Sequence, residues 1–247
     1  MAASVAYNRS ASPKGQGVDV LLSCPLITLS MKSSSNNNPP RPHDLATELV
    51  TSGRDTLAQR GFVNPPVVRG STVLYPTAED IRLHRGEFQY GRQGTPTTKA
   101  LQNALMTLEG PNCVGVGLAP SGVAAITTAL LAVLKAGDHF LVIDSAYRPT
   151  RNFCDIILKR LGIETTYFDP MIGSQIAKLF KPNTKAVLVE APGSQSFEMP
   201  DIPAIAAVAH DKGALVIDDN TWATPLYHRS LDQGVDISIQ AATKYIG

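Results

Sequence analysis

Between residues 113 and 239 the chain repeats one pattern. A short apolar run is followed by a stretch of helical spacing and then by another apolar run. The runs fall at 113–118, 139–143, 186–190, 214–217 and 235–239, with a further strand at 164–168, and the helical stretches at 123–134, 151–161, 172–180 and 201–212. Apolar runs with little alternation read as strands buried on both faces. Strands separated by helices need crossovers, so the sheet is mostly parallel and flanked by helices. This fixes the expected class as α/β. Glycines punctuate the pattern: Gly137 as a left-handed cap of the first helix, Gly162 after the second and Gly213 after the last, whose first turn holds Pro203.

In a sheet of this kind, chemistry collects where the strands end. Asp219 closes the 214–217 run and Lys244 follows the 235–239 run. A lysine and a carboxylate at neighbouring strand ends suit pyridoxal phosphate (PLP). The lysine would hold the aldehyde as a Schiff base, helped by a pKa lowered through burial and nearby cations. The carboxylate would pair with the pyridinium nitrogen. They equally suit two ordinary strand-end charges. Ser121 and Gly122 sit where a strand turns into a helix, a place that favours an anion and is equally a normal cap. Arg92, on the Gly91–Gly94 segment, is either a bidentate phosphate ligand or a surface arginine. Tyr147, after the 139–143 run, covers the core or a ligand. Thr97 or Thr98 caps a helix with Leu101, Leu105 and Leu108 on one stripe.

The remaining composition excludes more than it assigns. A net charge of +1 without a basic block argues against nucleic acid or an anionic membrane as partner. No apolar run is long enough to span a bilayer. Cys24, Cys113 and Cys154 are too widely spaced for a disulfide framework or a metal knuckle, and the five histidines lack ligand spacing. No metal is expected, and the default setting is a reducing, cytoplasmic one. Residues 1–41, rich in Ser, Asn and Pro, read as a disordered or mis-assigned leader. A helix over 43–56, with Asp44 as N-cap, and an extended 67–75 follow, giving an arm over 42–89 and a large domain over 90–247.

The run DDNTW followed by SIQAATKY resembles the PLP-lysine region of the Cys/Met metabolism enzymes, the cystathionine lyase and synthase family. The resemblance extends from about Leu57 to Gly247 and implies the type I PLP fold, truncated before its C-terminal domain. It implies roles residue by residue: Lys244 as Schiff-base lysine, Asp219 as pyridinium partner and Thr243 as a phosphate contact. Gly122 and Val123 become amide donors of a phosphate cup, and Tyr147 the ring-stacking residue that assists proton transfer. Tyr90 and Arg92 match the family's Y-x-R segment, whose side chains reach the cofactor phosphate of the adjacent subunit, so a homodimer or homotetramer is implied. Ala241 stands where many members have Ser, removing one phosphate hydroxyl.

Gly193 and Ser194 replace the Asn-Pro pair of γ-lyases and γ-synthases, and Trp222 replaces a common Phe. Both substitutions point to a carbon–sulfur β-lyase that cleaves cystathionine to homocysteine, pyruvate and ammonia in methionine biosynthesis. A γ-lyase or γ-synthase and an inactive cofactor-binding fragment are the alternatives. In the family a C-terminal domain supplies the arginine that binds the substrate carboxylate, and the sequence ends at Gly247 without it.

Overall fold

The computed structural model describes residues 3–8 and 44–246. It divides into two units, one of residues 1–41 with 109–247 and one of residues 42–108. This differs from the boundary expected at residue 90, because the long helix Pro96–Glu109 packs with the N-terminal segment up to its last turn.

The larger unit is built on one seven-stranded sheet. In chain order its strands are β1 (Ala3–Asn8), β2 (Cys113–Ala119), β3 (His139–Ile143), β4 (Glu164–Phe168), β5 (Thr184–Glu190), β6 (Leu215–Asp219) and β7 (Ile237–Gln240). Their spatial order is β2-β1-β7-β6-β5-β3-β4. From β7 to β4 every pairing is parallel, which the apolar runs required. All five residues of β3 are buried, as expected of a strand covered on both faces. β3 lies between β4 and β5, so the chain leaves it in one direction and returns on the other side. Such a reversal opens a crevice beyond the carboxyl ends of the two diverging strands, here β3 and β5.

The exception to the parallel pattern is β1. It lies between β2 and β7 and pairs antiparallel with both. Ser4 and Ala6 are nearly fully buried. Residues 1–41 read from sequence as a disordered or mis-assigned leader, yet Ala3–Asn8 is an interior strand; residues 9–43, including Cys24, lie outside the described residues. Tyr7 fits because its partner is Gly115, where a Cβ would come within 2.7 Å of the Tyr7 ring.

Helices occur in both units. We number them α1 (Leu45–Thr51), α2 (Ala78–Arg82), α3 (Pro96–Glu109), α4 (Gly122–Val133), α5 (Arg148–Asn152, continuing as a π turn through Leu158), α6 (Ile202–Asp211) and α7 (Thr224–Tyr227). α4 buries Ala125, Ile126, Ala129 and Leu130, a stripe at i, i+1, i+4 and i+5, and packs on β1, β7 and β2. It ends at Val133, so Gly137 does not cap it. With φ +88°, Gly137 instead makes the turn whose Asp138 accepts from the Lys135 amide. The stretch 172–180 forms a 3-10 helix, Gly173–Leu179.

The 42–108 unit holds α1, α2 and most of α3. Asp44 caps α1 by accepting from the Thr47 amide at 2.8 Å. α3 begins one residue after Thr95, whose hydroxyl accepts from the Thr98 amide, so the cap lies upstream of Thr97 and Thr98. The 67–75 segment is extended, with one antiparallel bridge from Thr72 to Tyr90.

Candidate functional site

The carboxyl ends of the parallel strands bring together most of the residues singled out from sequence. β6 delivers Asp219, which is 7% exposed. Its Oδ1 accepts from the Thr221 hydroxyl at 2.6 Å and the Thr221 amide at 3.2 Å, leaving Oδ2 without a hydrogen bond from the described residues. Burial raises the pKa of Asp219 and the Thr221 bonds oppose that rise. A cation placed at Oδ2 would offset the cost of this buried carboxylate.

Ala241 is where three segments meet. Its amide donates to the Thr221 hydroxyl at 2.9 Å. Its carbonyl accepts from the Lys244 amide at 3.0 Å, closing the turn that carries Lys244. Its Cβ lies against the start of α4, so that a methyl on Gly122 would come within 2.7 Å of it. Only glycine at 122 permits this approach. One threonine hydroxyl therefore couples the carboxylate to the lysine turn, and one glycine couples that turn to a helix N-terminus.

At that N-terminus the Ser121 hydroxyl accepts from the Ala124 amide at 3.1 Å. The Gly122 and Val123 amides have no intrahelical acceptor, as for any first turn. Ser121 and Val123 are exposed, so this first turn is open to an anion. Thr243 and Lys244 are also exposed. The lysine therefore stands in an open turn; the burial expected for it from sequence is absent.

Tyr147, 45% exposed, follows β3 and begins α5. Two residues missed by sequence reasoning hold this corner. Glu190, the last residue of β5, accepts from the Tyr147 amide at 2.7 Å. Ser145 accepts through its carbonyl from the Ser194 amide at 2.8 Å, and a Cβ on Gly193 would come within 2.6 Å of the Ser145 Cβ. Glu190 stands opposite Asp219 in the β5–β6 register. Burial and the Asp219 charge push its pKa up to about 8. A strand-end acid beside a second one was the available signal, but it is visible only once the register is known.

Trp222 packs edge-on to Phe197 at 5.2 Å and to Tyr245 at 6.1 Å between ring centroids. The three rings join the loops after β5, β6 and β7, and each remains more than half exposed. Tyr90 and Arg92 lie in the 42–108 unit. There Gly91 donates to the Ser71 carbonyl at 2.8 Å, and a Cβ at Gly91 would strike Gly70. Both side chains are exposed.

Outward amides at a helix start, a buried carboxylate with one oxygen open and a nearby primary amine match the three polar ends of PLP, its phosphate, pyridine nitrogen and aldehyde. Among the described residues no group of metal-binding side chains is found, and no helix is long and apolar enough to cross a membrane.

Residues 46–247 match the profile of the Cys/Met metabolism PLP-dependent enzymes. The chain is 56% identical over 199 residues to a putative cystathionine beta-lyase of Rhizobium johnstonii, covering 81% of this chain and 50% of that protein. It is 42% identical over 210 residues to the cystathionine beta-lyase MetC of Escherichia coli, covering 82% and 52%. Among solved structures, metB from Corynebacterium glutamicum superposes with a TM-score of 0.74 at 27% identity, covering 85% of this chain and 53% of that one. The chain spans about half the length of the curated relatives it matches.

Proposed function

Because the chain belongs to the Cys/Met metabolism PLP-dependent enzymes, we propose that it forms the N-terminal arm and most of the cofactor-binding domain of a carbon–sulfur β-lyase. Its substrate is cystathionine, and its products are homocysteine, pyruvate and ammonia. The observation that carries this reading is the convergence at Ala241 of Asp219, through Thr221, of the α4 N-terminus and of the Lys244 turn.

PLP, when bound, supplies an electron sink for the charge left at the substrate Cα. The protein's residues do the rest. Gly122 and Val123 donate amide hydrogen bonds to the phosphate, joined by Thr243. Tyr90 and Arg92 complete the phosphate contacts from a neighbouring subunit, so the working form is a homodimer or homotetramer. Asp219 keeps the pyridine nitrogen protonated through its open oxygen. Tyr147 covers the ring. Lys244 holds the cofactor, takes the Cα proton and delivers a proton to the departing sulfur. Phe197, Trp222 and Tyr245 offer an apolar wall to the carbon–sulfur chain.

β-Elimination is favoured over γ-elimination by Gly193. With Ser194 it stands in the loop where γ-lyases and γ-synthases of the family carry an Asn-Pro pair, and its close contact with Ser145 ties that loop to the corner that bears Tyr147. Among the described residues Cys113 and Cys154 are buried free thiols, in keeping with a reducing, cytoplasmic setting.

Product analysis tests the proposal. A protein carrying this chain, given cystathionine, is expected to form pyruvate and to lose that activity in Lys244→Ala. Release of 2-oxobutyrate supports a γ-enzyme instead, and unchanged turnover in the variant refutes the role of Lys244.

A further inference from the structure

Glu190 has no part in the scheme above, yet it touches two of its members. Its Oε2 takes the Tyr147 amide hydrogen at 2.7 Å. Its side chain leaves the same face of the sheet as Asp219, its direct partner in the β5–β6 register. The loop after β5 meets the corner after β3 at two further points, the Ser194–Ser145 backbone bond and the contact of Gly193 with Ser145. The position of Tyr147 is thus set from β5.

We propose that Glu190 is a positioning residue of the cofactor site, which fixes the Tyr147 corner through its carboxyl oxygen and acts as the charge partner of Asp219 across the strand pair. This rests on the PLP reading given above.

The two duties separate chemically. Taking one amide hydrogen needs only an oxygen, which a glutamine also offers. Sensing Asp219 needs an ionisable group. Around Glu190 stand Asp219 on β6 and Asp218 on the other face of the same strand, while the Asp144–Arg151 ion pair belongs to the β3–α5 corner that Glu190 holds through the Tyr147 amide. Of these, Asp219 raises Glu190, adding to burial, so without cofactor the group carries a proton at neutral pH. A pyridinium set against Asp219 cancels that repulsion and attracts the Glu190 charge. Binding then releases the proton, and affinity gains as pH rises toward 8. A fall of one unit in the Glu190 pKa on binding corresponds to up to about tenfold in affinity.

The test is the dissociation constant of PLP, read from its visible absorption, for the parent, Glu190→Gln and Glu190→Ala between pH 6.5 and 8.5. At the acid end the parent and the glutamine variant are expected to agree within about twofold, and at the alkaline end the parent to bind about fivefold or more tightly. Glu190→Ala, lacking the acceptor, is expected to bind more weakly than Glu190→Gln throughout. A parent-to-glutamine ratio that does not change with pH, or identical glutamine and alanine variants, overturns the assignment while leaving the PLP reading intact. A parent that binds no PLP overturns both.

Discussion

Gly122→Ala tests the joint on which the site depends. A methyl there would sit 2.7 Å from the Ala241 Cβ, about 1 Å inside ordinary carbon–carbon contact. Ala241 has no flexible side chain with which to yield. Its amide is bonded to Thr221 and its carbonyl to Lys244, so the backbone of one partner must shift. Overpacking of this kind costs about 2 kcal/mol at the middle of its range, and alanine's better helix propensity offsets at most about 1 kcal/mol, leaving a net loss of about 1–2 kcal/mol. In a chain of this size each kcal/mol moves the melting temperature by about 2–4 °C, so a fall of roughly 2–8 °C is expected in thermal unfolding followed by circular dichroism. Gly117→Ala is the control, since a Cβ there finds only the Val5 carbonyl, 4.0 Å away. Ala241→Gly removes the opposing methyl and leaves its Cα at 3.5 Å. The double variant should therefore recover about 1 kcal/mol or more beyond additivity. Strictly additive losses, or a Gly122→Ala melting point equal to that of Gly117→Ala, refute the argument.

Thr221→Val keeps the shape but removes the donor to Asp219 and the acceptor for Ala241. It is expected to cost about 1–3 kcal/mol in urea unfolding and to weaken PLP binding; an unchanged dissociation constant would mean that Asp219 needs no such support. Glu109 is buried, with its pKa raised to about 7 chiefly by desolvation. Because the folded value exceeds the unfolded one, its contribution to stability is complete below about pH 4.3 and is lost as pH rises to 7. Glu109→Gln should flatten that decline by up to about 1.4 kcal/mol per pH unit, and parallel curves in urea titrations of parent and variant would exclude it. Ala6→Asp, at a position 1% exposed in the interior strand β1, should cost about 3 kcal/mol or more by burying an unpaired charge. An unaffected melting temperature would show that β1 does not hold this place in solution.

How much of this was legible in the sequence depends on how local each signal is. β3 has the bounds read from its apolar run, because burial on both faces leaves a continuous signature. β4 also has its expected bounds, although it is an edge strand in which only Phe168 is buried, because its β-branched and aromatic residues mark it locally. The α4 N-cap at Ser121 was also legible, since capping works over three residues. β1 was not. Ala3–Asn8 is short, set in a Ser-rich segment, and paired with strands more than a hundred residues away, Cys113–Ala119 and Ile237–Gln240. Glu190 and Thr221 escaped for a related reason. Glu190 matters through a register neighbour and Thr221 through a hydrogen bond to Ala241, twenty positions on.

Asp218 and Asp219 show what a motif selects and what it leaves out. Successive residues of β6 face opposite sides of the sheet, so identical side chains meet different solvents. Asp219 reaches the strand-end crevice and keeps one oxygen open to a cation. Asp218 is fully buried opposite Ser238, whose hydroxyl donates to Glu109 at 3.0 Å, and neither of its own oxygens has a well-formed hydrogen bond. His228 stands 3.7 Å away, but burial lowers its pKa and keeps it neutral. Desolvation, with the charge of Asp219 behind it, therefore raises the pKa of Asp218 well above its ordinary value and favours its neutral form. That neutrality protects Asp219. An ionised neighbour behind the strand would push Asp219 further toward its protonated form and weaken its hold on a pyridinium, whereas a protonated Asp218 leaves the full negative charge on the side of the sheet that faces the site.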